Sequence, residues 1–153
     1  MIWKTILVPH DFSSPANHAA ALARDEAKAH GGALILLHVI ELPGQITPDT
    51  ALVPDQTGAP VSVRDFAVKA AEQHLDDISA RLAKDGVKPT VFVRFGKPAD
   101  EIIAFAEEKK IDVIVMGTHG RTGLAHLIAG SVTERVVRTS KWPVLTVPGH
   151  EHS

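Results

Sequence analysis

The chain has no cysteine and no tyrosine, and aromatic residues fill only 5% of its 153 positions. Without cysteine there is no disulfide framework, no thiolate zinc site and no thiol catalysis. So few aromatics leave little on which unpaired bases could stack. With 16 Lys and Arg against 18 Asp and Glu, the net charge is −2, and no basic excess draws the chain to nucleic acid or an acidic membrane. No apolar run approaches the ~20 residues that a membrane span needs. The start, Met-Ile-Trp-Lys-Thr-Ile-Leu-Val-Pro, runs straight into strand-like sequence and lacks the regions of a signal peptide. A cytoplasmic protein with neither a membrane nor a nucleic-acid partner is therefore expected. Also missing are Gly-x4-Gly-Lys-Ser/Thr, Gly-x-Gly-x-x-Gly and the Gly-x-Ser-x-Gly nucleophile elbow.

What is present is an ordinary globular composition, 44% hydrophobic and 22% charged. The length fits one domain, residues 1–153, with a sizeable core. Four short runs are apolar almost throughout: Thr5–Val8, Ala33–Ile40, Val113–Met116 and Val144–Val147. Continuous apolarity marks strands covered on both faces, as in a parallel sheet. A fifth run, Thr90–Arg94, alternates more and suits an edge. Helical patterns separate them. Pro15–His30 has Ser14 placed to cap it and Gly31 and Gly32 to stop it. Val63–Asp85 carries Phe66, Ala70, Leu75, Ile78 and Leu82 near helical spacing. Pro98–Lys109 opens with acids and ends with lysine, as the helix dipole favours. Ser131–Ser140 starts Ser-x-x-Glu, a capping box. The order β-α-β-α-β-α-β-α-β predicts an α/β fold, an open five-stranded parallel sheet with helices on both faces. Residues 41–62, with four prolines and two glycines, are expected to form a long structureless connection, a flexible loop or lid. Residues 149–153 should fray.

In such sheets ligands bind beyond the carboxyl ends of the strands, where the strand order reverses. Two segments lie there: Pro9-His-Asp-Phe-Ser13 after the first strand, and the stretch from Gly117 to Thr133 after the fourth. The second has the pattern Gly-x2-Gly-x9-Gly-Ser, formed by Gly117, Gly120, Gly130 and Ser131. Glycines permit close backbone approach to an anion and positive φ, and a helix start offers free N–H groups and the positive dipole end. Ser131 and Thr133 add hydroxyl donors. Taken singly, Gly117 could be a strand-end turn, Ser131 an N-cap and Asp11 the cap of its own turn. His38 reads as a hydrogen-bonded core residue, His126 as packing or surface, and Arg135 and Arg138 as a solvated helix face. His150 and His152 lie in the tail and form no specific metal site.

These stretches, with Leu36-Leu-His-Val-Ile40, Gly96-Lys-Pro-Ala-Asp-Glu-Ile102, Val115-Met-Gly-Thr-His-Gly-Arg121 and Pro143-Val-Leu-Thr-Val-Pro148, resemble the universal stress protein (UspA-like) family over nearly the whole chain. The glycine spacing is similar to that of its ATP-binding branch. The resemblance implies a Rossmann-like, adenine nucleotide alpha hydrolase-like fold and a bound ATP, or AMP or ADP, with or without Mg²⁺. Carried over residue by residue, Asp11 reaches the ribose hydroxyls, Pro9 and His10 frame the pocket, and Val39 meets adenine through its backbone. Met116 packs near the ligand. Gly117, His119, Gly120 and Arg121 begin the phosphate loop, which Gly130, Ser131, Val132 and Thr133 complete. One carboxylate does not define a metal site, and no metal ligand or catalytic residue is assigned. The expected function is an ATP-binding regulatory module of the stress response with slow or no hydrolysis. The alternatives are a weak ATPase or adenylyl-transferring enzyme, and a dimeric interaction protein with a vestigial anion site. The resemblance places Val144–Val147 at a sheet edge, where pairing with a second copy would make a homodimer.

Overall fold

The computed structural model describes residues 3–52, 58–118 and 130–148. In chain order the elements are β1 (Thr5–Pro9), α1 (Ser14–His30), β2 (Ala33–Ile40), β3 (Ala51–Leu52), β4 (Val61–Ser62), α2 (Val63–Lys84), β5 (Thr90–Phe95), α3 (Pro98–Lys109), β6 (Val113–Thr118), α4 (Ser131–Thr139) and β7 (Val144–Pro148). Five strands form one sheet in the order β5-β2-β1-β6-β7, every pair parallel. The chain moves outward from β1 through β2 to β5, then returns to the other side of β1 for β6 and β7. The strand order thus reverses between β1 and β6.

The apolar strands are explained by two cores. Ile6, Val8, Leu34, Leu36, Val113 and Val115 pack against α1 and α2. Leu7, Leu37, Ile114 and Met116 point the other way, against α3 and α4. Adjacent residues in a strand face opposite sides, so a strand buried on both sides must be apolar at every position. The α1 helix turns Ala16, Ala19, Ala20, Ala23 and Ala27 to the sheet, a stripe small enough for close backbone approach. Of the α2 positions expected inward, Leu75, Ile78 and Leu82 are buried, but Ala71 replaces Ala70 and Phe66 is 62% exposed.

Three local expectations are corrected. The cap of α1 is Ser13, one residue earlier than expected, and its Oγ accepts the Ala16 N–H at 3.3 Å. At α4 the N-cap is Gly130 and Ser131 is already helical, so the capping box does not form; Glu134 pairs with Arg138 instead. Finally, the described part of 41–62 is not structureless: β3 and β4 pair antiparallel. The Thr50 and Pro48 carbonyls accept the N–H groups of Val63 and Arg64 at 2.7 and 2.8 Å. They serve donors that the start of α2 leaves unpaired. Strands of two residues are too short to show a period. Among the described residues, no helix is long and apolar enough to cross a membrane.

Candidate functional site

At the carboxyl end of the sheet, where the order reverses, a cleft of about 290 Å³ opens between β1, β2, β6 and the starts of α1, α3 and α4. That is the lower end of the range for small-molecule sites, ~300–1,000 Å³. Of the thirteen residues expected at the site, His119, Gly120 and Arg121 lie outside the described residues, as do His126, His150 and His152. The other ten, Pro9, His10, Asp11, Val39, Met116, Gly117, Gly130, Ser131, Val132 and Thr133, all line this cleft.

One wall is the turn after β1. His10 is 2% exposed, and both of its ring nitrogens are engaged. Nδ1 accepts the Phe12 N–H at 2.9 Å, which leaves Nε2 to carry the proton and donate it to Asn17 Oδ1 of α1 at 2.9 Å. The Asp11 carboxylate accepts the Ser13 N–H at 3.0 Å and the Ser13 hydroxyl. The turn-capping reading of Asp11 is therefore realised, while the same side chain stays exposed at the cleft. Phe12 adopts φ +68°, and its ring stacks on His38 at 4.1 Å and on His74 of α2 at 4.7 Å. His38 donates its Nδ1–H to the His10 carbonyl at 2.8 Å. Burial holds the pKa of both His10 and His38 below the usual imidazole value. The hydrogen bonds to Asn17 and to the His10 carbonyl, and the charge of Asp11, pull the other way.

The opposite wall joins β6 to α4. A Cβ on Gly117 would lie 2.3 Å from the Pro15 carbonyl oxygen, so this position is glycine because β6 touches the start of α1. Positive φ is not the reason here, nor at Gly130, whose φ is −70°. The Thr133 hydroxyl donates to the Gly117 carbonyl at 3.0 Å. Its proton is committed to tying α4 to β6 and is not a free donor, which corrects the expectation for this side chain. Ser131 is exposed. The Gly130 cap provides no side-chain acceptor, so the first N–H groups of α4 face the cleft with the positive end of the helix dipole. Among the described lining residues there is no Lys or Arg. Arg135 is not merely solvated; it pairs with Asp100 of α3 at 3.0 Å.

The reading of the sequence missed Ser13, Pro15, Ala16, Leu37, His38, Pro98, Ile102 and Thr118 as lining residues. Pro98 and Ile102 belong to the first turns of α3, after the edge strand β5, and so lay outside the strand ends at the reversal. The cleft combines an apolar slot (Leu37, Val39, Ile102, Met116) with an anionic acceptor on one side and backbone donors on the other. That suits a ligand with a flat apolar body, hydroxyls and an anionic end. Among the described residues, no three His, Asp or Glu side chains are grouped to hold a metal ion.

A family model for the universal stress protein family matches residues 3–148. Universal stress protein MJ0577 of Methanocaldococcus jannaschii is 33% identical over 155 residues, covering 96% of each chain. A universal stress protein of Thermus aquaticus is 35% identical over 148 residues, covering 95% of this chain and 99% of that one. The solved structure of MJ0577 superposes with a TM-score of 0.74 at 31% identity, covering all of both chains. The same fold recurs at lower identity. A universal stress protein in complex with cAMP gives TM-score 0.69 at 23% identity, covering 96% and 98% of the two chains. One from Archaeoglobus fulgidus in complex with dAMP gives 0.65 at 24%, covering 95% and 98%.

Proposed function

The chain belongs to the universal stress protein family, and from that premise we propose that it is an adenine-nucleotide-binding regulatory module that turns ATP over slowly or not at all. The observation that carries this reading is the convergence of ten expected residues, from four separate segments, on one cleft at the strand-order reversal. The fold of the cAMP and dAMP complexes is this fold, which supports an adenine nucleotide as the class of ligand. In the proposed pose adenine lies in the apolar slot against Met116 and the Val39 backbone. Asp11 accepts the ribose hydroxyls, with Pro9 and His10 behind it. Phosphates meet the backbone from Gly130 through Thr133, and Gly117 of β6 with His119, Gly120 and Arg121, as the family resemblance implies, complete their cradle. The residues present fit such a ligand, because dipole and unpaired N–H groups coincide at the start of α4.

Two further elements belong to the proposal: residence in the cytoplasm, and a homodimer through β7. β7 is an edge of the sheet, and its Val144, Leu145 and Val147 are only half-buried. An apolar edge with unpaired backbone groups is relieved by pairing with its own copy.

The test is to heat-denature the purified protein and identify the nucleotide released, then titrate the stripped protein with AMP, ADP and ATP. Stoichiometric adenine nucleotide, or micromolar binding on return, is the expected result. A stripped protein that binds none of the three refutes the reading. Incubation with ATP and Mg²⁺ then measures turnover.

A further inference from the structure

We infer that His10 does not touch the ligand but positions Asp11, holding the turn after β1 through a bond that only its neutral ring can make. This rests on the adenine-nucleotide reading of the cleft. Three observations carry it. His10 is 2% exposed and both of its ring nitrogens are spent within the protein, so it has no hydrogen bond to offer a ligand. Its Nδ1 accepts from Phe12, two residues on, closing a small ring whose middle member is Asp11. And Phe12, on the far side of Asp11, lies in the left-handed region at φ +68°, which a bulky side chain rarely adopts. Something must hold it there. The holding groups are the His10 Nδ1 on its N–H and the rings of His38 and His74 on its side chain. Release of Phe12 toward extended backbone would swing the preceding carboxylate away from the cleft.

The bond has a definite protonation requirement. A protonated imidazole has two donors and no acceptor, so Nδ1–H would confront the Phe12 N–H and the ring would open. The groups around His10 act in both directions. Asp11 and the Asn17 side chain from α1 favour the charged ring, whereas burial, His38 of β2 and Arg81 of α2 disfavour it. His74 of α2 is stacked on Phe12. The neutral ring therefore prevails at neutral pH, and the site should lose its ligand on acidification below the usual imidazole range. The pH sensor would act one residue from the acceptor it controls.

NMR titration of the wild type would follow the His10 ring and the Phe12 amide together. AMP affinity would then be measured at pH 7.5 and at one pH unit below the ring's own midpoint, in wild type, His10→Ala, His10→Asn and His38→Gln. Asn can accept the Phe12 N–H through Oδ1 but does not titrate. The Phe12 amide should shift with the ring. Wild-type affinity should fall about tenfold more than that of His10→Asn, because only about one molecule in ten keeps the competent turn. The titration of the AMP phosphate is common to all variants and cancels. At pH 7.5, His10→Ala should bind at least tenfold more weakly, with His10→Asn recovering most of that loss. A Phe12 amide indifferent to the ring, an His10→Asn profile that tracks wild type, or a profile flattened by His38→Gln instead would each overturn the inference. If His10→Ala does not fold, the His10→Asn comparison and the amide titration still decide. A wild type that binds no AMP at either pH, while its Phe12 amide follows the ring, overturns the nucleotide reading and leaves the turn mechanism standing.

Discussion

Replacing Gly117 with alanine should cost more stability than the same change at Gly31. An added Cβ would sit 2.3 Å from the Pro15 carbonyl oxygen, 2.4 Å from its carbon and 2.8 Å from the Pro15 Cβ. Carbon contacts settle near 3.5–4.0 Å, so β6 and the start of α1 must separate by about 1 Å. The atoms met are mainly backbone and cannot swing aside. Overpacking of this kind costs about 1–3 kcal/mol, and rigid neighbours place Gly117→Ala at the upper end, about 3 kcal/mol. For a domain of this size each kcal/mol lowers Tm by about 2–4 °C, giving a fall of about 6–12 °C. Gly31→Ala is the control. Its φ is +68° and nothing lies within 4 Å of the added carbon, so only the backbone preference is lost, about 1–2 kcal/mol. Urea unfolding would show the midpoint move with m unchanged. AMP affinity should fall as well, because Gly117 and Pro15 both line the cleft. A Gly117→Ala protein no less stable than Gly31→Ala would refute the steric argument.

Asp11→Ala should weaken AMP, ADP and ATP alike by about 1.5–3 kcal/mol, the loss of a charged acceptor; a calorimetric effect confined to ATP with Mg²⁺ would contradict its ribose role. Thr133→Val should cost about 1–2 kcal/mol in urea, because the Gly117 carbonyl loses its donor. Ser131→Ala, at an exposed position that is not the cap, should stay within about 0.5 kcal/mol of wild type. Stability should fall as pH drops below 6.5, since His10 and His38 are held below that value in the fold and the unfolded chain then binds more protons. The slope is at most about 1.4 kcal/mol per pH unit for each ring. A urea midpoint that rises between pH 7 and 5 would show the sign to be wrong.

The parallel sheet was legible because burial on both faces leaves an unusually plain signature. Ile6, Leu7 and Val8 must all be apolar when alternate side chains serve different cores. The stronger alternation of Thr90–Arg94 likewise marked an edge, and β5 is one. Helix boundaries were less legible, and for a local reason. Ser13 and Ser14 are chemically equal candidates for the cap of α1, and the choice is made by Asp11, which accepts a hydrogen bond from the Ser13 hydroxyl and so orients its oxygen. At α4, Ser131 had the sequence of a cap but lies one residue inside the helix, since Gly130 adopts the extended conformation of the cap position. Phe66 had the right spacing for a buried position, yet it lies in the first turn of α2 and is exposed.

The site divides along the same line. Strand ends, glycines and a helix start located the cleft, because those features are set by topology and backbone geometry. What each side chain does there depends on partners far along the chain. Thr133 spends its proton on a carbonyl 16 residues away, and His38 spends its own on one 28 residues away. The Ser13 hydroxyl donates a hydrogen bond to the Asp11 carboxylate within the turn after β1. Thr133, which the sequence offered as a free hydroxyl donor, is consumed in tying α4 to β6, and His38 ties β2 to the turn after β1. The donors left for an anion at the described wall are then the exposed Ser131 hydroxyl and the backbone N–H groups at the start of α4. Backbone donors impose few demands on side-chain identity but strict ones on approach. Gly117 is glycine because β6 meets the start of α1 there, beside a Thr133 whose hydroxyl serves scaffolding.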